Sequence, residues 1–141
     1  MLADGKVLVA SGRLNNFDRV LPSAELYNVG LGFSSDWQPE IATATLTSSQ
    51  RLRLAGSLFQ GISQASGGNT QDSSTNYPIV QLRSIDNGQV ALLSVDPVGG
   101  WSDTTFVSSP ITDFPFGPAL VAVFTNGIPS TAKYLVVGEA P

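Results

Sequence analysis

The sequence predicts an all-β fold, an antiparallel sandwich or barrel, from three observations. Fourteen glycines and nine prolines interrupt the 141-residue chain at short intervals. The runs between them are rich in Val, Ile, Leu, Phe and Thr, residues that favour strands. Residues 79–95 contain Asn87-Gly88, a dipeptide that favours a tight two-residue hairpin turn. Regular turn signals around short β-prone runs are typical of sandwiches and barrels.

Two short strands are predicted near the amino terminus, at residues 6–10 and 24–28. The first follows the turn pair Asp4-Gly5, and a polar loop joins it to the second. Gly30 and Gly32 end this section, and residues 34–36 are predicted to be a linker. These two strands are therefore set apart from the rest of the chain.

Residues 50–62 allow two interpretations. Residues 50–54 alternate between polar and apolar side chains, which indicates a half-buried strand. A helical stripe also fits this segment, with Ser48 or Ser49 as its N-cap. Gly56 and Gly61 would weaken such a helix by about 1 kcal/mol each relative to alanine. The strand is therefore the favoured interpretation.

The remaining strands are predicted at residues 41–46, 79–85, 89–95, 104–107, 119–124 and 134–137. Residues 60–76 form a polar loop longer than structureless loops usually are, so a functional or mobile segment is expected there. We expect the core of the main domain to contain Leu54, Phe59, Leu82, Leu120 and Val123.

Charge and composition restrict the partners and the chemistry. The net charge is −4, the estimated isoelectric point is 4.4, and no basic patch is present, so we expect no nucleic-acid partner. The sequence has no cysteine and therefore no disulfide or thiolate site, which leaves the redox compartment open.

Membrane and export signals are not evident in the sequence. No stretch approaches the roughly 18 apolar residues of a transmembrane helix, so we expect no membrane span. Residues 1–6 place an acidic residue and a glycine where a signal peptide has a basic and then an apolar region. The location of the chain is left open, although a secreted or cell-surface parent protein is expected.

The segment Leu2-Ala3-Asp4-Gly5-Lys6-Val7-Leu8-Val9-Ala10-Ser11-Gly12, followed by Ser23-Ala24-Glu25-Leu26-Tyr27-Asn28, resembles a bacterial Kelch repeat. It departs from the repeat at Ser11, where a glycine pair is usual, and at Asn28. The resemblance implies a four-stranded propeller blade in a repeat of about 50 residues. Residues 1–32 are therefore predicted to be a partial blade.

Residues 37–138 resemble the immunoglobulin-like, early-set β-sandwich that follows the propeller in such proteins. The resemblance rests on the patterns Pro39-x-Ile41, Leu52-x-Leu54-x-Gly56-x-x-Phe59-x-Gly61, Pro118-x-Leu120-Val121-x-Val123 and Asn126-Gly127-x-x-Ser130. Galactose-oxidase-like enzymes share this arrangement and hold copper with tyrosines and histidines. Since this sequence has no histidine, that copper site cannot be carried over.

The sequence offers little equipment for catalysis. Without histidine or cysteine, no Ser-His-Asp or Cys-His arrangement and no histidine-bound zinc can form. Residues 61–65 approximate a nucleophile elbow, but Ala65 replaces its second glycine. The carboxylates stand mostly beside turn residues, which explains them better than a catalytic pair does. We therefore expect no enzyme activity and no cofactor.

Five residues are candidates for a ligand surface. Trp37, Tyr77 and Trp101 are aromatic residues beside loops, where sugar-binding modules place stacking platforms, although a role in the core or at a domain junction is the commoner one. Asn69 and Asp72 lie in a loop with oxygen ligands that could hold calcium, but Asp72 is a lone carboxylate there.

The sequence thus predicts a non-catalytic structural or interaction module from the tail of a Kelch-type protein. The alternative is a carbohydrate-binding module of an exported protein. Strands without their blade partners leave free edges that favour pairing with another chain. A homodimer through residues 1–31 is therefore predicted, with folding of these strands onto the sandwich of the same molecule as the alternative.

Overall fold

The computed structural model describes residues 6–10, 22–28, 34–61 and 76–138. Within these ranges a single turn of 3₁₀ helix, Ser35–Trp37, accompanies the strands. The strands are β1 (Val7–Ala10), β2 (Ala24–Tyr27), β3 (Glu40–Leu46), β4 (Leu52–Ser57), β5 (Ile79–Ser84), β6 (Val90–Leu93), β7 (Thr105–Val107), β8 (Gly117–Thr125), β9 (Ile128–Pro129) and β10 (Lys133–Val137). No helix in these ranges is long and apolar enough to cross a bilayer.

Two antiparallel sheets form the main body of the protein. One has the strand order β3-β4-β7, and the other has the order β10-β8-β5-β6, with β9 paired to β8. Side chains from both sheets meet in one continuous apolar core. This arrangement confirms the predicted all-β antiparallel sandwich.

The core consists of the inward-facing residues of each strand. The three-stranded sheet and the loop after β4 supply Ile41, Leu52, Leu54, Phe59 and Phe106. The other sheet supplies Val80, Leu82, Ala119, Val121, Val123, Leu135 and Val137. Full burial of each larger side chain stabilises the folded state by about 1.5–3 kcal/mol, so this layer is the main source of stability.

The segment 50–62 contains a strand, and the helical interpretation is wrong. Leu52 and Leu54 are buried while Arg53 is exposed, which is the period of two expected for a strand with one covered face. Strand β4 pairs with β3 on one side and with β7 on the other. Burial on the inner face and two hydrogen-bonded neighbours therefore outweigh the weak helical pattern.

Gly56 allows two backbones to approach closely at a β-bulge. The register of β3 against β4 shifts between Ile41 and Thr43, so β3 has one extra residue there. A Cβ atom at Gly56 would lie 1.8 Å from the carbonyl oxygen of Glu40 and 2.9 Å from the Phe59 ring. Because no side chain fits, glycine is required at this position.

One residue expected in the core lies on the other side of the sheet. Leu120 is half-buried, whereas its neighbours Ala119 and Val121 are fully buried. Leu120 and Val123 are three positions apart, so they cannot face the same side of a regular strand. The expectation for Leu120 was therefore wrong, while those for Leu54, Phe59, Leu82 and Val123 are confirmed.

The predicted hairpin exists, but its turn is not the expected two-residue type. Strand β5 pairs with β6, and residues 85–88 form a longer turn in which the Gly88 N–H donates to the Ser84 carbonyl at 3.1 Å. Gly88 has a φ of 74°, and Asn87 has no positive φ. Asn126 and Gly127 both have positive φ, at 49° and 80°, between β8 and β9. The two-residue turn is therefore formed by this second Asn-Gly pair.

The amino-terminal strands form a hairpin of their own. Strands β1 and β2 pair antiparallel in a separate two-stranded sheet, which confirms the strands predicted at 6–10 and 24–28. Leu8 and Leu26 lie opposite each other and are each more than half exposed. The assignment of residues 1–32 to a partial Kelch blade and the domain boundary before residue 37 stay predictions.

A polar cluster closes one end of the sandwich. The Arg51 guanidinium pairs with the carboxylate of Asp96, which is buried. The other carboxylate oxygen of Asp96 accepts hydrogen bonds from the N–H groups of Val98 at 3.0 Å and Gly99 at 2.5 Å. The buried Ser108 hydroxyl accepts from the Leu52 N–H at 2.8 Å. These bonds satisfy backbone groups where the strand ladders end.

Replacement of Asp96 with alanine should lower the free energy of unfolding by about 2–3 kcal/mol, because it leaves Arg51 unpaired and two turn N–H groups without their acceptor. Asp86→Ala, at an exposed turn, is the control, and it should change the free energy of unfolding by less than about 0.5 kcal/mol. Urea unfolding of both variants tests this. Equal losses in the two would contradict the importance of the cluster.

Replacement of Gly56 with alanine should lower the free energy of unfolding by about 2 kcal/mol or more, because the new Cβ would collide with the Glu40 carbonyl. Gly138→Ala provides a matched control, since a Cβ there meets nothing within 4 Å. Thermal unfolding of the two variants measures the difference. A wild-type melting temperature for Gly56→Ala would disprove the close approach.

Candidate interaction surface

The structure brings together two of the aromatic residues selected from the sequence. The ring centroids of Tyr77 and Trp101 are 5.4 Å apart with an interplanar angle of 72°, an edge-to-face contact. Trp37 is half-buried at the end of the 3₁₀ turn and makes no ring contact with this pair. Asn69 and Asp72, the candidate ligand residues of the polar loop, lie outside the described residues.

The Tyr77–Trp101 pair lies where several loops meet at one end of the sandwich. The N–H of Gly61 donates to the Asn76 carbonyl at 3.2 Å, and the N–H of Phe59 donates to the Asp103 carbonyl at 2.9 Å. Since the two rings are nearly perpendicular, they do not form one flat stacking platform. Among the residues that the structure describes, no three His, Cys, Asp or Glu side chains cluster to hold a metal.

The outward side of the five-stranded sheet that contains β5 and β8 has an unusual composition. Val80, Leu82 and Val121 face the core, so the alternate residues of the same strands face away from it. The strand register aligns these outward residues in rows across the sheet. We call this surface the outer face, and it comprises Ile79, Gln81, Arg83, Val90, Leu92, Pro118, Leu120, Ala122, Phe124, Tyr134 and Val136.

Most of the outer face is apolar, and much of it is open to solvent. Its most exposed members are Leu92 at 66%, Tyr134 at 60% and Val136 at 58%. Ile79, Val90 and the adjoining Ile85 are each about half exposed, and a monomer rarely exposes so many apolar side chains on one surface. Such a surface indicates an interaction site.

The two sheets differ in their outward sides. The outward positions of β3, β4 and β7 are mostly polar, with Thr43, Thr45, Arg53 and Thr105 all exposed. An antiparallel sheet with one solvated face normally has this polar character. The apolar outer face is therefore a property of one sheet and not of the whole fold.

Arg83 is the charged residue of the outer face and lies near its middle. In the strand register it pairs with Leu120 of β8 on one side and with Val90 of β6 on the other. Leu120 in turn pairs with Tyr134 of β10. Arg83 thus occupies the centre of an apolar row that crosses β10, β8, β5 and β6, and within the described residues it has no ion-pair partner.

A shallow groove of about 300 Å³ lies at one end of the outer face. It is lined by Arg83, Ser84, Ile85, Gly88 and Leu120. The groove combines apolar side chains with the Arg83 guanidinium and the exposed backbone of the turn between β5 and β6. An apolar side chain with an adjacent acidic group would match these features.

The sequence contained a signal for this surface that the strand predictions did not use. Residues 90–93 and 134–137 are continuous apolar runs rather than alternating ones. Continuous runs are typical of strands that are covered on both faces. Since only one face of this sheet contacts the core, these apolar runs indicate that the other face is also suited to burial against a partner.

Comparisons with known proteins concern the fold. The sequence matches no family model and no curated protein. The structure is similar to the 2.25 Å crystal structure of a candidate bacterial DNA-binding protein from Bacteroides vulgatus ATCC 8482. The two chains are 14% identical, the match covers 96% of this chain and 68% of the other, and the TM-score is 0.50. At this identity the likeness shows the fold alone.

Truncation of Leu92 to alanine should change the free energy of unfolding by less than about 1 kcal/mol, because its side chain is mostly exposed. Leu82 lies on the neighbouring strand β5, on the core side of the sheet, and is fully buried. Leu82→Ala should therefore lower the free energy of unfolding by about 2–5 kcal/mol. Chemical unfolding in dilute solution compares the two. A large loss from Leu92→Ala would mean that the outer face supports folding rather than binding.

Proposed function

We propose that the chain is a non-catalytic protein-interaction module, which binds a polypeptide partner through the outer face. The observation that supports this role is the exposed apolar side of the five-stranded sheet, since the other sheet has an ordinary polar outward side. The absence of histidine and cysteine from the sequence supports a role without catalysis.

The proposed module is an immunoglobulin-like sandwich from the tail of a Kelch-type protein. The strand order supports the first part, since β3-β4-β7 corresponds to strands A, B and E, and β10-β8-β5-β6 to strands G, F, C and C′. The antiparallel pairing of β1 with β2 supports the second part, because a Kelch blade is built from adjacent antiparallel strands. The sequence resemblance at residues 2–12 and 23–28 supports it independently.

The size of the outer face is adequate for a specific interface. Full burial of each Leu, Ile or Val side chain of this face contributes about 1.5–3 kcal/mol before any costs. The loss of translational and rotational freedom on association costs about 4–15 kcal/mol. The affinity therefore depends on how many of these side chains a partner covers and on how well the charges pair, and not on area alone. Arg83 adds specificity, because it would need an acidic partner when it is desolvated.

A polypeptide partner is favoured over a nucleic acid on electrostatic grounds. The structural neighbour from Bacteroides vulgatus is named for DNA binding, but the likeness concerns the fold. This chain has a net charge of −4, and Arg83 is the one cation of the outer face. Phosphate backbones are bound by clusters of Lys and Arg, which this surface does not provide.

A carbohydrate-binding module is the second candidate. The contact between Tyr77 and Trp101 favours it, since it places two aromatic rings at a loop end with Tyr77 partly exposed. Their edge-to-face geometry leaves the rings at different inclinations. A sugar would therefore stack on one ring only, which supports weaker binding than a flat platform would give.

Panning of a random peptide library tests the proposed function. The immobilised protein is kept at a concentration of about 10 nM or less, so that association between copies does not occupy the outer face. We expect peptides with apolar and acidic residues to bind. Leu92→Asp should weaken this binding at least tenfold, because it places a negative charge on the apolar contact area for an acidic peptide. Thr45→Asp, on the outward side of the other sheet, is the matched control and should bind as wild type does.

The same preparations should be applied to a glycan array and to labelled duplex DNA. Peptide binding that Leu92→Asp removes and Thr45→Asp retains supports the interaction module. Glycan binding that Trp101→Ala removes would support the second candidate instead. DNA binding with the strong salt dependence of phosphate contacts would overturn the expectation about nucleic acids. Binding to none of the three probes would contradict the proposed function.

A further inference from the structure

The hairpin of β1 and β2 is a second uncovered apolar element in the same chain. The register places Val9 opposite Glu25 and Val7 opposite Tyr27, so these four residues share one side of the hairpin. Val9 is 51% exposed and Tyr27 is 62% exposed. This side, which we call the Glu25 side, thus combines apolar side chains with a single carboxylate; Val7 is half-buried, and the other three residues are exposed.

The Glu25 side and the outer face complement each other in charge. The outer face is apolar around the cation Arg83, and the Glu25 side is apolar around the anion Glu25. Glu25, like Arg83, has no ion-pair partner within the described residues. An interface that joins the two surfaces would pair both charges when they are desolvated.

Stacking of two outer faces against each other is a less favourable way to cover them. Arg83 lies near the centre of the face, so a two-fold axis through that centre would bring two guanidinium groups together. Like charges in a desolvated contact cost several kcal/mol in general and select against such a pairing. The hairpin supplies the opposite charge and avoids this repulsion.

We propose that the chain forms a reciprocal homodimer in which the β1–β2 hairpin of each copy lies on the outer face of the other, with Glu25 facing the other copy's Arg83. This inference rests on the proposed function, because it uses the same binding surface and names a second copy of the chain as its partner. It assigns the predicted contact through residues 1–31 to a defined surface on the sandwich.

The contact area sets the expected strength of the dimer. One side of the hairpin buries on the order of 300 Å², and the part of the outer face beneath it buries about the same area. The two-fold axis produces this contact twice, so the dimer buries roughly 1,200 Å² in total. This area is at the lower limit for a stable specific interface. The dimer should therefore dissociate in the micromolar range.

Sedimentation velocity of the full chain over about 1–200 µM tests the proposal with charge reversals. The wild type should convert from monomer to dimer in this range. Glu25→Arg and Arg83→Glu should each weaken the dimer at least tenfold, because each places two like charges at the contact. The double variant restores an opposite pair with reversed polarity and should regain an affinity within about threefold of wild type.

Two controls match the change in net charge. Arg53→Glu alters the chain charge as Arg83→Glu does but lies on the outward side of the other sheet, and Glu40→Arg matches Glu25→Arg. Both should dimerise as wild type does. Far-UV circular dichroism and thermal unfolding establish that every variant is folded. Since Glu25, Arg83, Arg53 and Glu40 are all exposed, folding should persist.

The outcomes separate this inference from the proposed function. A monomeric wild type at about 200 µM, or a double variant as weak as the single ones, would overturn the reciprocal dimer. If peptides still bind the outer face in either case, only the identity of the partner is wrong. If peptides also fail to bind, the proposed function fails with it.

Discussion

A single apolar layer between two sheets constrains every strand of the sandwich. Each strand must present alternate residues to this layer, since side chains of a strand point to opposite faces in turn. Val80 and Leu82 of β5 therefore join Leu52 and Leu54 of β4 in the core, while Gln81 and Arg83 face outward. The bulge in β3 and the absence of a side chain at Gly56 allow β3 and β4 to approach closely within one of these sheets.

The same constraint shows that the apolar residues of the outer face are not required by the core. The core needs only the inward residues, so the outward residues are free to be polar, as Thr43, Thr45 and Thr105 are on the other sheet. Leu92, Tyr134 and Val136 are apolar although folding does not bury them. Burial in the proposed interface would account for both their composition and their arrangement in rows.

The strands were largely predictable from the sequence because their signals are local. Turn dipeptides and β-prone runs located nearly every strand, and the alternation at residues 50–54 decided correctly between strand and helix. The predicted two-residue turn at Asn87-Gly88 is wrong, because the turn type depends on where strand pairing ends. The last backbone hydrogen bond of the strand pairing joins the Ser84 N–H to the Gln89 carbonyl, which leaves four residues in the turn. Leu120 was misplaced because an apolar run gives no direction for its side chains until the register is known.

The candidate site was much less predictable. The choice of Tyr77 and Trp101 identified two residues that are in contact, but nothing in their sequence context indicates that the two rings are nearly perpendicular. The outer face combines residues from four strands that are distant in the sequence, so it exists only after the sheet order is known. The central position of Arg83 also depends on the pairing of β5 with both β6 and β8.

Hydroxyl-radical footprinting at two protein concentrations is the most direct measurement of whether the outer face becomes buried on association. When the full chain is concentrated from about 1 to about 200 µM, Leu92 and Tyr134 should become protected together with Tyr27 of the hairpin. Val98 is 96% exposed in a loop away from these strands and should keep its reactivity as the internal reference. Unchanged reactivity of Leu92 and Tyr134, or protection of Val98 to the same extent, would contradict an interface on the outer face.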